Sequence, residues 1–356
     1  MKNYNFDGHK LAYHPERLGE LMKDGDCFPI YLEISPVGSC NHRCIFCAYD
    51  FIGYPNRKLE TGRTLTLMKE LADCGLKSML FAGEGEPLLH PDISLLIPEA
   101  RANGIDAGLF TNGQLLKPGL AQAILPSLTF VRFSFNAGTR ENYAQIHSVA
   151  PEVFDTVVAN IRQAVSLKRS QGLGVTIGAQ FVLIPENLES AYQAALTLRE
   201  AGVDYLVFKP FVQQSSQQGY QGGGALPADQ LEEILTRLEG LGTDRFKVLA
   251  RRQSFAGCRG TRSYRHCYGA NFITVLNSAG VLSSCLPYWE REEFGYGSIY
   301  QQSFREIWQG AQRGRVKRNL EQQLEVSGCP PNCRPHAINA FLAEILNPSV
   351  EHVNFI

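Results

Sequence analysis

From Phe28 onward the chain repeats one pattern: a short apolar run, a cluster of turn residues, then a longer stretch with apolar residues at helical spacing. The runs Tyr31 to Ser35, Ser78 to Ala82, Asp106 to Thr111, Phe130 to Phe135, Gly174 to Leu183 and Tyr205 to Lys209 read as strands, because they are short and bounded by turn residues. Between them, stretches such as Thr64 to Cys74 and Phe154 to Ser170 carry the apolar stripe of an amphipathic helix. Strands alternating with helices predict a parallel α/β sheet or barrel, in which each connection crosses back over the sheet. In a parallel barrel the reactive groups gather at the carboxyl ends of the strands.

Residues 1–27 form a lead-in with a helix near Pro15 to Lys23 and no candidate chemistry. After the sixth strand, Gln213 to Gly224 is polar and glycine-rich without an apolar period, which predicts a linker or a lid and a natural boundary. Pro227 then opens a helix with Leu231, Ile234, Leu235 and Leu238 at helical spacing. Further on, Phe272 to Leu276 and Val281 to Ser284 flank the turn Asn277-Ser278-Ala279-Gly280, a β-hairpin. A single helix is expected from about Ser303 to Leu324. The expected division is 1–27 lead-in, 28–226 core and 227–356 C-terminal domain.

Composition narrows the class. A chain of 356 residues, 44% hydrophobic and with a net charge of −1, has room for one large α/β domain with an appendage, or for two domains. Lysine and arginine form no long run, and no apolar stretch reaches membrane-spanning length, so the expectation is a cytoplasmic enzyme with neither nucleic acid nor membrane as partner. Ten cysteines without a secretion signal read as metal ligands more readily than as disulfides. Cys40, Cys44 and Cys47 form one group, and Cys258, Cys267, Cys285, Cys329 and Cys333 another. Cys27 and Cys74 stand alone and read as small core residues.

The first group, Cys40-Asn41-His42-Arg43-Cys44-Ile45-Phe46-Cys47, has the spacing C-x3-C-x2-C. Three thiols in one loop can hold three corners of a cubane iron–sulfur cluster and leave the fourth corner open to a small molecule, whereas clusters that only carry electrons take four cysteines. A zinc site or buried structural thiols are the alternatives. After the second strand, Gly83-Glu84-Gly85-Glu86-Pro87 combines glycines that admit a ligand to the backbone with a carboxylate, Glu86, suited to an ammonium group.

Together these stretches resemble the signature of the radical S-adenosylmethionine (SAM) enzymes. The resemblance implies a partial (β/α)6 TIM-like barrel, with Cys40, Cys44 and Cys47 on a [4Fe–4S] cluster whose fourth iron SAM chelates. It implies Phe46 against the adenine, and Gly85, Glu86 and Pro87 holding the SAM amino group, with Glu84 standing where the common form has glycine. Ser134 and Asn136, which alternate with aromatics along strand four, would face the ribose and carboxylate. Gln180 and Val182 on strand five would flank the adenine. Thr111 and Asn112 at the end of strand three and Lys209 at the end of strand six are further candidates, Lys209 for SAM or substrate.

In the second group, Cys267 and Cys285 sit at the two ends of the hairpin, and Cys329-Pro-Pro-Asn-Cys333 supplies two more thiols. Two such pairs suit a fully ligated [4Fe–4S] cluster or a tetrahedral zinc. The C-x12-G-x4-C hairpin and the segment from Gly297 to Trp308 resemble the SPASM and twitch extensions of radical SAM enzymes. A one-cluster twitch-like α+β domain is implied, with an auxiliary iron–sulfur cluster on Cys267, Cys285, Cys329 and Cys333. Cys258 is then a candidate hydrogen-atom donor. Arg259, Arg262 and Arg265, in the only dense basic patch of the chain, are candidate substrate contacts for a phosphate or carboxylate.

The resemblance implies reductive cleavage of SAM to a 5′-deoxyadenosyl radical, with a flavodoxin- or ferredoxin-like electron donor and a small-molecule substrate. A sugar, cyclitol or nucleotide-linked anion is favoured over a peptide, because the lead-in is too short for a peptide-recognition domain. An oxidoreductase or epimerase outcome is expected. The rival from another class is a non-catalytic iron–sulfur sensor or scaffold.

Overall fold

The structure is a computed structural model that describes residues 8–213, 217–220, 222, 228–257 and 262–355. Among these residues the strands are β1 (Tyr31–Ile34), β2 (Ser78–Phe81), β3 (Asp106–Thr111), β4 (Leu128–Ser134), β5 (Thr176–Leu183), β6 (Tyr205–Pro210), β7 (Lys247–Ala250), β8 (Ile273–Leu276), β9 (Val281–Ser283) and β10 (Gly295–Ser298). They form one sheet in the order β10-β9-β8-β1-β2-β3-β4-β5-β6-β7. Strands β1 to β7 pair in parallel with their sequence neighbours, and β8 joins the free edge of β1, also in parallel. Only the hairpin β8–β9 and its partner β10 are antiparallel. The sheet is not closed, and it is a partial TIM-like barrel.

The crossovers are helical, as parallel pairing requires. After α1 (Pro15–Asp24) come α2 (Thr61–Asp73), α3 (Ile93–Ala102), α4 (Pro118–Ile124), α5 (Arg140–His147), α6 (Glu152–Ser170), α7 (Ala191–Ala201) and α8 (Ala228–Glu239), so that each strand from β1 to β6 is followed by at least one helix. The later helices are α9 (Arg252–Gly257), α10 (Phe304–Gln309), α11 (Ala311–Arg318) and α12 (His336–Leu346). Successive strand residues point to opposite faces. Leu32, Ile34, Met79, Phe81, Val131, Phe133, Phe181 and Phe208 therefore turn outward and are buried. Their neighbours Tyr31, Glu33, Ser78, Leu80, Arg132, Ser134, Gln180 and Lys209 turn inward and line a chamber of about 890 Å3.

The six expected strands are present, each end within two residues of its expected place. Two further strands, β7 and β10, carried little sequence signal: Lys247–Ala250 is four residues long, and Gly295–Ser298 contains two glycines, which disfavour strands. The single helix expected over Ser303 to Leu324 is instead broken at Gly310, whose backbone is extended (φ −75°, ψ 157°) between α10 and α11, and it ends in a π-helical turn, Asn319–Gln323. A β-carbon at Gly310 would lie 2.7 Å from the Glu306 carbonyl. The chain then turns back onto the lead-in, where the buried Trp308 donates from Nε1 to the Cys27 carbonyl (2.8 Å) and Arg313 forks onto Asp26 (2.6 and 2.8 Å). Cys27 and Cys74 are buried among apolar neighbours. Strands from both sides of the expected 226/227 division enter the one sheet.

Candidate active site

The cysteine loop leaves the carboxyl end of β1 and is held from below by the end of α5. The amides of Arg43 and Ile45 donate to the carbonyls of His147 and Ile146, both at 3.0 Å, using groups that the helix terminus leaves without an internal partner. Arg43 also reaches back to the Cys40 and His42 carbonyls (2.6 and 2.8 Å), which keeps the loop tight. Cys40, Cys44 and Cys47 all line the chamber, as does Phe46. Burial pushes the Cys40 thiol up to about 12 and raises Cys44 and Cys47 as well, and thiolate neighbours would repel one another. A bound cation reverses that balance, because a coordinating thiol gives up its proton.

His147 was not singled out from the sequence. Its Nδ1 lies 3.2 Å from Cys44 Sγ, its ring stacks on Tyr143 at 4.1 Å, and it packs edge-on to His42 at 5.4 Å. Nε2 of His147 and Nδ1 of His42 are buried without a partner. His42, Cys44 and His147 form the only Cys/His/carboxylate trio among the described residues whose ligand atoms all lie within 4.8 Å of one another. Among the described residues neither cysteine group brings three thiols within 4.8 Å of one another.

Two glycines bring the strand-two turn against this loop. Gly83 has φ +97°, and a β-carbon there would collide with Ser35 Oγ at 1.7 Å; at Gly85 it would meet the Ser39 and Val37 carbonyls at 2.4 and 2.5 Å. That contact lets the Glu86 amide donate to the Ser39 carbonyl (3.0 Å). The Glu86 carboxylate is buried and accepts from Thr111 Oγ1 (2.6 Å), the Asn112 amide (2.8 Å) and the Leu88 amide (3.2 Å), while still lining the chamber. Burial raises its pKa to about 7 against the pull of those three donors, and no cation among the described residues figures in that balance. A buried carboxylate aimed into a chamber with neutral donors behind it is a receptor for an ammonium group. Pro87 does not line the chamber; it starts the short turn Pro87–Leu89 that supplies the Leu88 amide.

Thr111, Asn112, Ser134, Asn136, Gln180, Val182 and Lys209 all reach the chamber wall. Asn136 also braces the barrel, since its side-chain oxygen accepts from the Val182 amide (2.8 Å) and its carbonyl from Asn187 (2.9 Å). Glu84, the residue standing where the resembled motif has glycine, is buried and accepts from the Ser278 amide at 2.6 Å, with Arg57 at 3.3 Å. It therefore ties the strand-two turn to the tip of the β8–β9 hairpin. The described part of the loop after β6 sits on the cysteine loop, where Asp50 accepts from the amides of Gln218 (3.0 Å) and Gly219 (2.5 Å).

Cys267, Cys285, Cys329 and Cys333 line the opposite end of the same chamber. Burial and the neighbouring thiols raise Cys267, Cys285 and Cys333, the last to about 12. Tyr288 Oη lies 3.3 Å from Cys329 Sγ, and Asn339 Nδ2 donates to Cys267 Sγ at 3.4 Å. Of the basic patch, Arg262 donates to the carbonyls of Cys329 (3.0 Å) and Pro330, Arg265 is exposed, and neither lines the chamber. Cys258 and Arg259 lie outside the described residues. Arg251, which the sequence places in the same basic patch, does line the chamber, and Glu33, Arg132 and Arg334, which also bring charge to it, were not among the sequence candidates; only inward parity on β1 and β4 would have found the first two.

An open parallel barrel with a three-cysteine loop at the end of its first strand and a buried carboxylate at the end of its second defines a cofactor-dependent α/β enzyme class. Residues 34–198 match the Radical SAM superfamily. It is 26% identical over 279 residues to a GTP 3',8-cyclase of Chlorobaculum tepidum, covering 73% of this chain and 79% of that one. It is 34% identical over 110 residues to an S-adenosylmethionine-dependent nucleotide dehydratase of Flammeovirga pacifica, covering 29% and 38%. SuiB of Streptococcus suis bound to S-adenosylmethionine shares the fold, with a TM-score of 0.65 at 14% identity over 90% of this chain and 75% of that one. Enzymes of this family use a [4Fe–4S] cluster and SAM, small-molecule substrates and an external reductant. The three-thiol loop and the buried Glu86 fit both groups. No helix among the described residues is long and apolar enough to cross a membrane.

Proposed function

We propose that this chain reductively cleaves SAM and removes a hydrogen atom from a small polar, anionic substrate of the sugar, cyclitol or nucleotide-linked kind. The single observation that carries this reading is that the three-cysteine loop, Glu86 and the four C-terminal cysteines all open on one chamber. Its volume lies within the ~300–1,000 Å3 of small-molecule sites. When bound, the first cluster and SAM supply a 5′-deoxyadenosyl radical that takes a hydrogen atom from an unactivated carbon of the substrate.

The chain's own residues orient and shield. Cys40, Cys44 and Cys47 would hold the first cluster, and His147 would position Cys44. Glu86, backed by Thr111 and the Asn112 amide, would receive the SAM ammonium, with Gly85 leaving room for the approach and Pro87 setting the turn. Phe46, Ser134, Asn136, Gln180 and Val182 would bound the rest of the cofactor. Cys267, Cys285, Cys329 and Cys333 would hold one auxiliary cluster on the far side of the substrate, where it can accept an electron in an oxidation or anchor the substrate in an epimerisation or rearrangement. The core over 28–226 and the C-terminal part over 227–356 would thus each contribute one cluster to a shared chamber, with catalysis resting on orientation and exclusion of water.

The test is anaerobic reconstitution with iron and sulfide, followed by SAM and dithionite. About eight irons per chain and formation of 5′-deoxyadenosine are expected. Four irons plus one zinc would reassign the second site, and no 5′-deoxyadenosine would leave a non-catalytic iron–sulfur protein. Deuterium transfer into deoxyadenosine from labelled sugars or nucleotides, and none from peptides, separates this reading from peptide modification.

A further inference from the structure

We infer that the inner wall of the chamber, formed by Lys209, Arg132, Arg251 and Arg334 around Glu33, is a binding site for the phosphate group of a phosphorylated small molecule. The inference rests on the proposed reading of the chamber as a substrate site and names the group that the site recognises. Five separate segments bring these charges together: β1 gives Glu33, β4 gives Arg132, β6 gives Lys209, the residue after β7 is Arg251, and Arg334 follows Cys333. Glu33 and Arg132 lie within their strands, ahead of Thr111 at the end of β3 and of Glu86 and Asn112 beyond the ends of β2 and β3. That part of the wall is therefore separate from the ammonium receptor, while Lys209 is in register with Val182 nearer the strand ends.

The guanidiniums of Arg132 and Arg334 are oriented by their surroundings. Arg132 donates from Nε to Tyr205 Oη (2.9 Å) and lies over the Phe110 ring at 4.6 Å. Arg334 pairs with Glu33, donates to Tyr31 Oη and sits over the Tyr31 ring at 5.4 Å. The Arg251 amide is fastened to the Phe208 carbonyl at 3.0 Å, beside Lys209. Glu33, the carboxylate of this wall, is engaged by Arg334.

Lys209 thus lines the chamber together with three guanidiniums, and Glu33 beside them is engaged by Arg334. Burial first, then repulsion from Arg251, Arg132 and Arg334, brings its pKa down to about 7, with Glu33 acting the other way. Cations gathered away from water are stabilised by an anion with several acceptor oxygens, and a phosphate, close to doubly charged near neutral pH, offers more than a carboxylate to donors on four segments. Such an anion returns the proton to Lys209.

The experiment uses the anaerobically reconstituted, SAM-loaded full chain at pH 8, titrated calorimetrically in two buffers of different ionisation enthalpy. The probes are glucose 6-phosphate, uridine 5′-monophosphate, gluconate and glucose. Both phosphates are expected to bind saturably, at least about tenfold tighter than gluconate, with uptake of about one proton per chain. Preference between the two phosphates tells a sugar phosphate from a nucleotide. Lys209→Met is expected to lose the proton uptake and, like Arg334→Gln, to weaken phosphate binding about tenfold or more, with the cluster absorbance of both variants reporting intact folding. Absence of saturable phosphate binding to the parent chain, gluconate binding as well as phosphate, or proton uptake unchanged in Lys209→Met each overturns the inference. Deoxyadenosine formation from SAM and dithionite, measured on the same preparation, reports separately on the enzyme reading: if it proceeds without phosphate binding, only the phosphate site is lost.

Discussion

Glu86 is the side chain whose surroundings say most about what it meets. In the folded chain it titrates near 7, against an ordinary value of 4.5, so the native state holds an extra proton between those values and stability falls as pH rises through that window. At pH 8 Glu86→Gln removes a buried charge and is expected to raise the stability of the metal-free protein by about 1–3 kcal/mol in urea unfolding. The same substitution should weaken SAM binding at least about tenfold. In the parent protein, SAM affinity should fall as pH drops below 7, because the ammonium then faces a protonated carboxyl; a flat profile from pH 6 to 8 would remove Glu86 from that role. His147 invites a different measurement. His147→Phe keeps a ring against Tyr143 but withdraws the nitrogen beside Cys44, so the electron paramagnetic resonance spectrum of the reduced first cluster should shift while unfolding free energy changes by no more than about 1–2 kcal/mol. An unaltered spectrum would make the contact mere packing.

Among the elements, the β8–β9 hairpin and the turn after β2 are coupled by Glu84, which explains why a carboxylate stands where the family motif has glycine. Its acceptor holds the hairpin tip at the Ser278 amide, and Arg57 closes the link by donating to Ser278 Oγ at 2.7 Å. Glu84→Gly is expected to cost about 1–3 kcal/mol by leaving a buried amide without its acceptor. It should lower iron content at the second site more than at the first, with SAM binding retained. Equal loss at both sites would show that the link serves the whole barrel instead of the hairpin. Strand parity does comparable work on β4, where Ser134 and Asn136 share the chamber face that their alternation with Phe133 and Phe135 implied.

For the molecule as a whole, the decisive contact is β8 against β1, four residues in parallel register from Tyr31 with Ile273 to Ile34 with Leu276. The last third of the chain covers an edge of the barrel's own sheet. A chain ending at Ala250 would expose that edge with unpaired amides and carbonyls, a template for association. Such a truncation is expected to aggregate or sediment as large oligomers, whereas the full chain should not. A monodisperse, iron-binding fragment would show instead that the chain up to Ala250 folds and loads independently.

Local signals carried much of this architecture. Apolar runs with turn residues at both ends specified β1 to β6 and the hairpin, since period and length are properties of neighbouring residues. The cysteine spacing and the Gly85-Glu86-Pro87 turn marked the candidate cofactor residues for the same reason. What the sequence could not supply is proximity between distant segments. Arg334 meets Glu33 across about three hundred positions, His147 comes beside Cys44 from another helix, and the two cysteine groups come to share one chamber only because the sheet curves and β8 closes on β1. Chemistry-bearing residue types were written locally; their common address was set by tertiary packing, in which parity, register and burial act together over the full length of the chain.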